Sequence, residues 1–339
     1  MPVIILFGGD GSEHRVSVAS AQNVARELPS AALWYWTRSG TLAELTRNEL
    51  LSFDRPFERD FAPAPGRIWP DIGSAFADDD ARDADFFLAL HGGSGENGTI
   101  QEALETGGRP FTGSGASASR LAFDKLRARE AVAARGVPVA DACLLDADAA
   151  SHEKLAHLFE THGKLVVKPI ADGSSHGVRF IETEQNLDGA IRAVSLGDAP
   201  RYFAEAFIAG RELTVGVLER PGYDDLVPLP CSEIRLDAGR TFDYGGKYLG
   251  QGTIELTPAP VSDDVARAAQ KVAVTAHEAI GCAGYSRTDV IVSEDGPVFL
   301  EINTLPGLTA ASFIPQQLEA AGLRMDEFLN EQIELARKR

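Results

Sequence analysis

The chain has 339 residues, 44% hydrophobic, with 33 glycines, 18 prolines and a formal net charge of −18. That length predicts about two to three domains with large buried cores, and the negative balance disfavours nucleic acid or an anionic membrane as partner. Three cysteines without a CxxC pair, Cys143, Cys231 and Cys282, exclude a disulfide scaffold and argue against structural zinc.

At the N-terminus, Val3, Ile4, Ile5, Leu6 and Phe7 form an apolar run too short for a signal peptide or a membrane span of ~18 residues. A soluble, cytoplasmic protein is expected. The run predicts a buried strand, followed by a turn at Gly8, Gly9 and Gly11 and a helix over 16–28 that stops at Pro29. A second apolar strand, over 85–90, runs into His91, Gly92, Gly93, Gly95, Glu96, Asn97 and Gly98, then a helix over 99–106. Strand, glycine turn and helix in alternation predict a parallel sheet with ligand loops at the carboxyl ends of its strands. Residues 54–80, rich in Pro, Asp and Phe, carry no assignment.

A helix is predicted over 121–134, closed by Gly136 and Pro138. Strands over 165–169 and 178–181 flank a loop containing Gly173, Ser174, Ser175, His176 and Gly177. A Walker loop would open a helix, so this is not one. Lys168 ends the first of these strands, where loop N–H groups and hydroxyls could cover phosphates. Lys125, taken alone, reads as a surface lysine. Between 203 and 212, Glu205 and Glu212 interrupt apolar residues, a pattern shared by an adenine slot with a ribose-binding acid and by any edge strand. Ser262 caps a helix with Asp263 and Asp264 in its first turn. Val265, Ala269, Val272, Ala276 and Ile280 keep helical spacing up to Gly281. There is no internal repeat and no low-complexity tract.

Residues 285–303 predict a hairpin around a turn at 293–297. Centred on Asp295, it sets Asp289 against Glu301 and Arg287 against Asn303, all on one face of the sheet. The other face carries Val290, Val292, Leu300 and Ile302 as core. Facing carboxylates repel, but a hard cation reverses the sign, and an all-oxygen set from Asp, Glu and Asn suits Mg²⁺ with substrate phosphates. A solvated polar face is the competing reading. The loop from Thr304 through Pro306 and Gly307 to Thr309 would present N–H groups to an anion.

Together these segments resemble the ATP-grasp ligases and, within them, the D-alanine–D-alanine ligases. The resemblance runs through Gly8, Gly9, Glu13, His14 and Ser17, then His91, Gly92, Gly95, Glu96, Gly98 and Thr99. It continues with Thr112, Gly113 and Ser114, Asp124 and Lys125, Lys168 and Pro169, and Gly173, Ser174 and Ser175. Asp243, Tyr244, Lys247 and Tyr248 follow, and last come Arg287, Thr288 and Asp289 with Glu301, Asn303, Pro306 and Gly307.

The resemblance implies an α/β ATP-grasp fold in three domains: an N-terminal parallel-sheet (pre-ATP-grasp) domain over 1–113, a central subdomain over 114–203 and a C-terminal one over 204–339. It implies that Lys125, Lys168, Ser174 and Ser175 bind ATP phosphates, that Glu205, Phe207 and Ile208 line the adenine pocket, and that Glu212 meets the ribose. Asp289, Glu301 and Asn303 match the family's ligands for two Mg²⁺ ions, with Mn²⁺ as a substitute. Glu13 would hold the first substrate's ammonium and join Ser174 and Tyr248 in a hydrogen-bonded triad. Arg287 and the Gly307 N–H would stabilise the oxyanion, while Lys247, Ser312 and Phe313 would hold the second substrate's carboxylate, with His91 and Glu96 as polar supports. The implied reaction joins two D-alanines through an acyl phosphate, for peptidoglycan synthesis, in a homodimer.

His176 and Asn97 depart from the usual family pattern, and residues 33–80 do not align with it. Retained Lys247 and Tyr248 resemble dipeptide-forming enzymes rather than D-alanine–D-lactate ligases. The alternatives are a sibling ATP-grasp ligase for other small amino acids and a non-catalytic ATP-binding protein.

Overall fold

The computed structural model describes residues 1–64, 66–146, 149–171, 177–196, 201–236 and 253–339. Its first sheet grows from the apolar run at the N-terminus. Strand β1 (Val3–Gly8) pairs in parallel with β2 (Ala32–Trp36). The connecting helix α1 (His14–Glu27) buries Val18, Ala21 and Val24 against the sheet. Antiparallel β3 (Leu42–Leu45) and β4 (Ile68–Trp69) extend one side, and parallel β5 (Asp85–Leu88) closes the other, in the order β4-β3-β2-β1-β5. At the end of β1, Gly8 has φ +100°, and a Cβ there would lie 2.1 Å from the Trp36 carbonyl oxygen, so only glycine permits the turn.

The unassigned stretch supplies β4 together with helices α3 (Ile72–Phe76) and α4 (Asp79–Arg82), after the short α2 (Arg47–Leu51). These elements have two to five residues each, too few for a periodic signal. An aromatic cluster orders them instead: Trp34 and Trp69 stack at 4.5 Å between ring centroids, and Phe76 meets Phe86 at 5.2 Å. Helices α5 (Gly93–Glu96) and α6 (Thr99–Thr106) follow β5.

The expected helix over 121–134 is two helices, α7 (Ala116–Phe123) and α8 (Lys125–Ala133). Asp124 breaks them apart: its backbone is extended and its carboxylate accepts the Arg127 N–H at 3.1 Å as the cap of α8. The four-stranded antiparallel sheet that follows runs β6-β9-β7-β8, from β6 (Ala142–Leu145), β7 (Leu165–Pro169), β8 (Arg179–Ile181) and β9 (Tyr202–Ala206). Helices α9 (Ala149–His162) and α10 (Gln185–Leu196) pack beside it.

A third, antiparallel sheet has the order β13-β12-β10-β14-β15. It comprises β10 (Arg211–Leu218), β11 (Val227–Pro228) paired to β10, β12 (Ser232–Leu236), β13 (Thr253–Leu256), β14 (Tyr285–Ser293) and β15 (Gly296–Asn303). Helix α11 (Asp263–Ile280) begins at the Ser262 cap and ends at Gly281 with φ +72°, as the sequence indicates. It packs on one face of this sheet beside α7 and α8, with Ala118, Ala128, Val132, Ala269 and Ala273 in one core. Helices α12 (Phe313–Ala320) and α13 (Met325–Lys338) return to the first sheet, where the Arg337 guanidinium meets buried Asp85 at 2.7 Å.

The expected boundary at 203/204 therefore falls inside β9, which pairs as a unit with β6 and β7. The stretch that opens the expected central subdomain, α7 and α8, packs with the third sheet instead. No described helix is long and apolar enough to cross a membrane.

Gly216 marks where α12 lies on the third sheet: a Cβ would come within 2.7 Å of Ile314 Cδ1 and 2.8 Å of both Gln317 Oε1 and Leu229 Cδ1. Gly216→Ala is expected to cost about 1–3 kcal/mol through overpacking, read as a lower midpoint in urea with an unchanged slope.

Candidate active site

The hairpin shapes the site. Asp289 opposes Glu301 and Arg287 opposes Asn303, as expected, but the geometry behind that register differs from the expectation. The turn has two residues, Glu294 and Asp295, between paired Ser293 and Gly296, rather than five. The register then slips between Asp289 and Val290, because Leu300 is an extra residue on β15. The slip offsets the shifted turn centre, so the polar pairs meet while the core does not follow the simple alternation. Phe299, not Leu300, fills the core opposite Val290, and Val292 and Leu300 are half-buried.

Asp289 is buried between strands. The Arg287 guanidinium donates to both of its oxygens, at 3.0 and 2.9 Å, and the hydroxyl of Thr214, its register partner on β10, donates as well. Glu301 meets Lys125 Nζ at 3.4 Å. Lys125 stands at the first position of α8, set there by the Asp124 cap, and its own N–H donates to the Ile170 carbonyl beyond β7 at 3.1 Å. The lysine that looked superficial is thus drawn inward, and each facing carboxylate has its own cation. The carboxamide nitrogen of Asn303 is buried without a partner among the described residues.

One cavity gathers Lys125, Arg287, Glu301 and Asn303, while Asp289 does not line it. Glu13 and His91 line it from loops after β1 and β5, and Glu96 from the end of α5. Gly307 and Ser312 come from the loop before α12, Phe313 from its first position and Glu255 from β13. A Cβ on Gly307 would lie 2.6 Å from Ser312 Oγ, so a larger residue there would displace that hydroxyl. Ser312 Oγ also pairs with Thr309 Oγ1 at 2.8 Å.

His91 rivets this loop to the first sheet. Its Nδ1 donates to the Leu305 carbonyl at 2.8 Å, and since burial lowers its pKa the ring is neutral. Nε2 therefore accepts from Ser20 Oγ at 2.8 Å, and Ser20 Oγ accepts the Leu308 N–H at 3.2 Å. Both ring nitrogens are engaged by protein.

Glu96, which lines the cavity, is pushed up to about 7 by burial and then by the charge of Glu13, while the Gly92 N–H, donating at 3.0 Å, favours its carboxylate. Glu255 is also raised by burial, with the Gln316 amide donating at 2.9 Å to oppose the shift. Sequence reasoning overlooked Glu255; its signal was one acid between apolar Ile254 and Leu256 in a strand.

Of the remaining expected nucleotide residues that are described, none lines this cavity, and Lys168 and Glu205 stand on the central sheet. Phe180, Val166 and Glu205 stand in one row across β8, β7 and β9 and so share a face with Lys168. Lys168 Nζ lies 2.6 Å from one Glu205 oxygen, and Arg129 holds the other. Phe207 is 39% exposed and meets Phe180 edge-on at 6.2 Å, with Lys164 Nζ 4.2 Å from its ring centroid. Ile208 is half-buried, as is Glu212, which sits on β10 opposite Ile234 and Ile291. Ser174, Ser175, His176, Lys247 and Tyr248 lie outside the described residues, so the expected triad is represented here by Glu13 alone. Among the described residues no three His, Cys, Asp or Glu side chains cluster as a metal site; the expected set has two carboxylates and a carboxamide.

Comparisons with known proteins match this architecture. The family described as D-ala D-ala ligase N-terminus matches residues 2–114, and D-ala D-ala ligase C-terminus matches residues 131–334. A D-alanine--D-alanine ligase of Leptospira biflexa is 34% identical over 346 residues, covering 98% of each chain. One from Leptospira interrogans is 40% identical over 270 residues, covering 76% of this chain and 74% of the relative. Among solved structures, the VanG D-Ala:D-Ser ligase of Enterococcus faecalis superposes with a TM-score of 0.80 at 28% identity, covering 99% of each chain.

Glu96 binds its proton more tightly folded than unfolded, so its contribution to stability is complete below about pH 4.5 and is lost as pH rises through about 7. Glu96→Gln is expected to unfold at a higher temperature than the parent at pH 8 and to lose that advantage at pH 4.5. Thermal melts across this range check it; a gain independent of pH would contradict the assignment.

Proposed function

Because the chain belongs to the D-alanine–D-alanine ligase family, we propose that it joins two molecules of D-alanine into D-alanyl-D-alanine, with cleavage of ATP to ADP and phosphate, for peptidoglycan synthesis. The observation that carries this reading is the pair of opposed carboxylates, Asp289 and Glu301, each with its own cation beside a cavity lined by groups suited to an amino acid.

A carboxylate is a poor electrophile. The first D-alanine is activated by taking the γ-phosphoryl group on its carboxyl oxygen; the amine of the second then attacks the acyl carbon, and phosphate leaves. Half-buried Glu13 holds the first ammonium, and Ser312, the Phe313 backbone and Lys247 hold the second carboxylate. Arg287 and the Gly307 N–H stabilise the oxyanion as preorganised donors. Lys125 and Lys168 bind phosphates, with Ser174 and Ser175 covering them. Glu205, Phe207 and Ile208 receive the adenine, and Glu212 the ribose.

The donor set fits magnesium: two carboxylates and a carboxamide offer hard oxygens. Asp289, Glu301 and Asn303 would hold two Mg²⁺ ions, or Mn²⁺ in their place, which supply charge neutralisation for the phosphoryl group in transfer. The homodimer and the cytoplasmic location are proposed on family membership alone. A second reading, a D-alanine ligase with another acceptor, is favoured by the likeness to a D-Ala:D-Ser ligase.

Asp289→Asn and Glu301→Gln are each expected to lower D-alanine-dependent phosphate release about 100-fold or more, with circular dichroism unchanged. Near-normal turnover in either removes the metal assignment. A screen of D-alanine, D-serine, D-lactate and L-amino acids, singly and in pairs, is expected to give the most phosphate with D-alanine alone and a product of D-alanyl-D-alanine mass. Greater release with a mixed pair establishes the second reading, and hydrolysis indifferent to every amino acid establishes a non-catalytic nucleotide binder.

A further inference from the structure

Arg129 lies four residues after Lys125 on α8, so the two cations share a face of the helix. Its side chain is 5% exposed, the Glu205 carboxylate 6% and Lys168 9%. One Arg129 nitrogen donates to Glu205 and another to the Ala140 carbonyl, while Lys168 Nζ takes the second Glu205 oxygen at 2.6 Å. Both cations also lie over the Phe203 ring, at 5.7 and 5.3 Å. Glu205 and Lys168 belong to the central sheet, and α8 packs in the core of the third. The guanidinium therefore crosses between the two layers.

A buried carboxylate that loses its partner is strongly unfavourable. If Lys168 were the sole partner of Glu205, its departure to a phosphate would strand that charge, and the pair would compete with nucleotide. A second cation removes the competition provided that it stays behind. Arg129 meets that condition, because its rigid fork is shared with Ala140 and cannot follow a ligand, whereas lysine is a point charge on a flexible stem.

We propose that Arg129 is a positioning residue of the nucleotide site: by holding Glu205 from α8 it lets Lys168 exchange that carboxylate for a phosphate. The proposal rests on the nucleotide roles given above to Lys168 and Glu205. Arg129 itself touches no nucleotide; it acts through Glu205.

The test uses the full chain, with ADP and magnesium as the calorimetric probe. Arg129→Gln is expected to weaken ADP binding about tenfold, to raise the KM for ATP in parallel, and to leave the KM for D-alanine within about twofold. Arg129→Lys keeps the charge but cannot reach both Glu205 and Ala140, and is expected to fall between, at about threefold. A merely structural role would lower the melting temperature and leave the ADP affinity of the folded protein unchanged, which would overturn the proposal. If Arg129→Gln does not fold, Arg129→Lys decides: parental ADP affinity overturns the role of Arg129. A parent chain that binds no ADP overturns the nucleotide reading and this inference together, whereas parental binding unaffected by either variant overturns this inference alone.

Discussion

Two carboxylates stand opposite each other across the β14–β15 ladder, in a position where like charges destabilise a sheet. The surroundings are organised to tolerate them. Arg287, two residues along the same strand, grips Asp289 with both arms of its fork, and Lys125 reaches Glu301 from the start of α8. Neither cation arrives by chance. The first shares a strand face with its partner, and the second is held in place by the Asp124 cap and by the hydrogen bond from its backbone to Ile170. The site therefore needs the third sheet, α8 and the end of β7 at once, and it lies where those layers meet.

The same economy governs the other wall. Glu13 brings a further acid to the cavity, and burial keeps its neighbour Glu96 protonated over most of the acid range. Neutral His91 binds the Leu305 carbonyl and Ser20, so the loop carrying Gly307 and Ser312 is fixed to α1 through hydrogen bonds with no net charge. Among the described residues lining the cavity, the Arg287 guanidinium and Lys125 oppose the acids as full charges. An anionic phosphate and a zwitterionic amino acid are the ligand types that such a balance accommodates.

Much of this was legible in the chain. Apolar runs and glycine turns located β1 and β5, the Ser262 cap and Gly281 bounded α11, and two-residue periodicity put Asp289, Glu301, Arg287 and Asn303 on one face. Those features are local, because periodicity and capping depend on neighbours within a few residues. The short elements over 68–82 were illegible, since contacts among Trp34, Trp69, Phe76 and Phe86 specify them rather than any repeat of their own. The break at Asp124 was also overlooked, although its carboxylate three residues before an N–H acceptor-seeking turn is a cap signature.

The hairpin separates the two kinds of information most clearly. The sequence by itself determined that Arg287 shares a strand face with Asp289, and Glu301 with Asn303, because the side-chain period is two. The facing register expected from a turn centred on Asp295 holds only because two offsets cancel. Only the tertiary structure decided how that register is reached, through a tight turn and an extra Leu300 that turns Phe299 into the core under α11. It alone decided which sheet α8 joins, and hence that Lys125 meets Glu301 and Arg129 meets Glu205. The physical reason is range: hydrogen-bonded ladders and caps are written over a few residues, whereas partners 76 residues apart, as Arg129 and Glu205 are, are chosen by how whole layers bury their apolar faces.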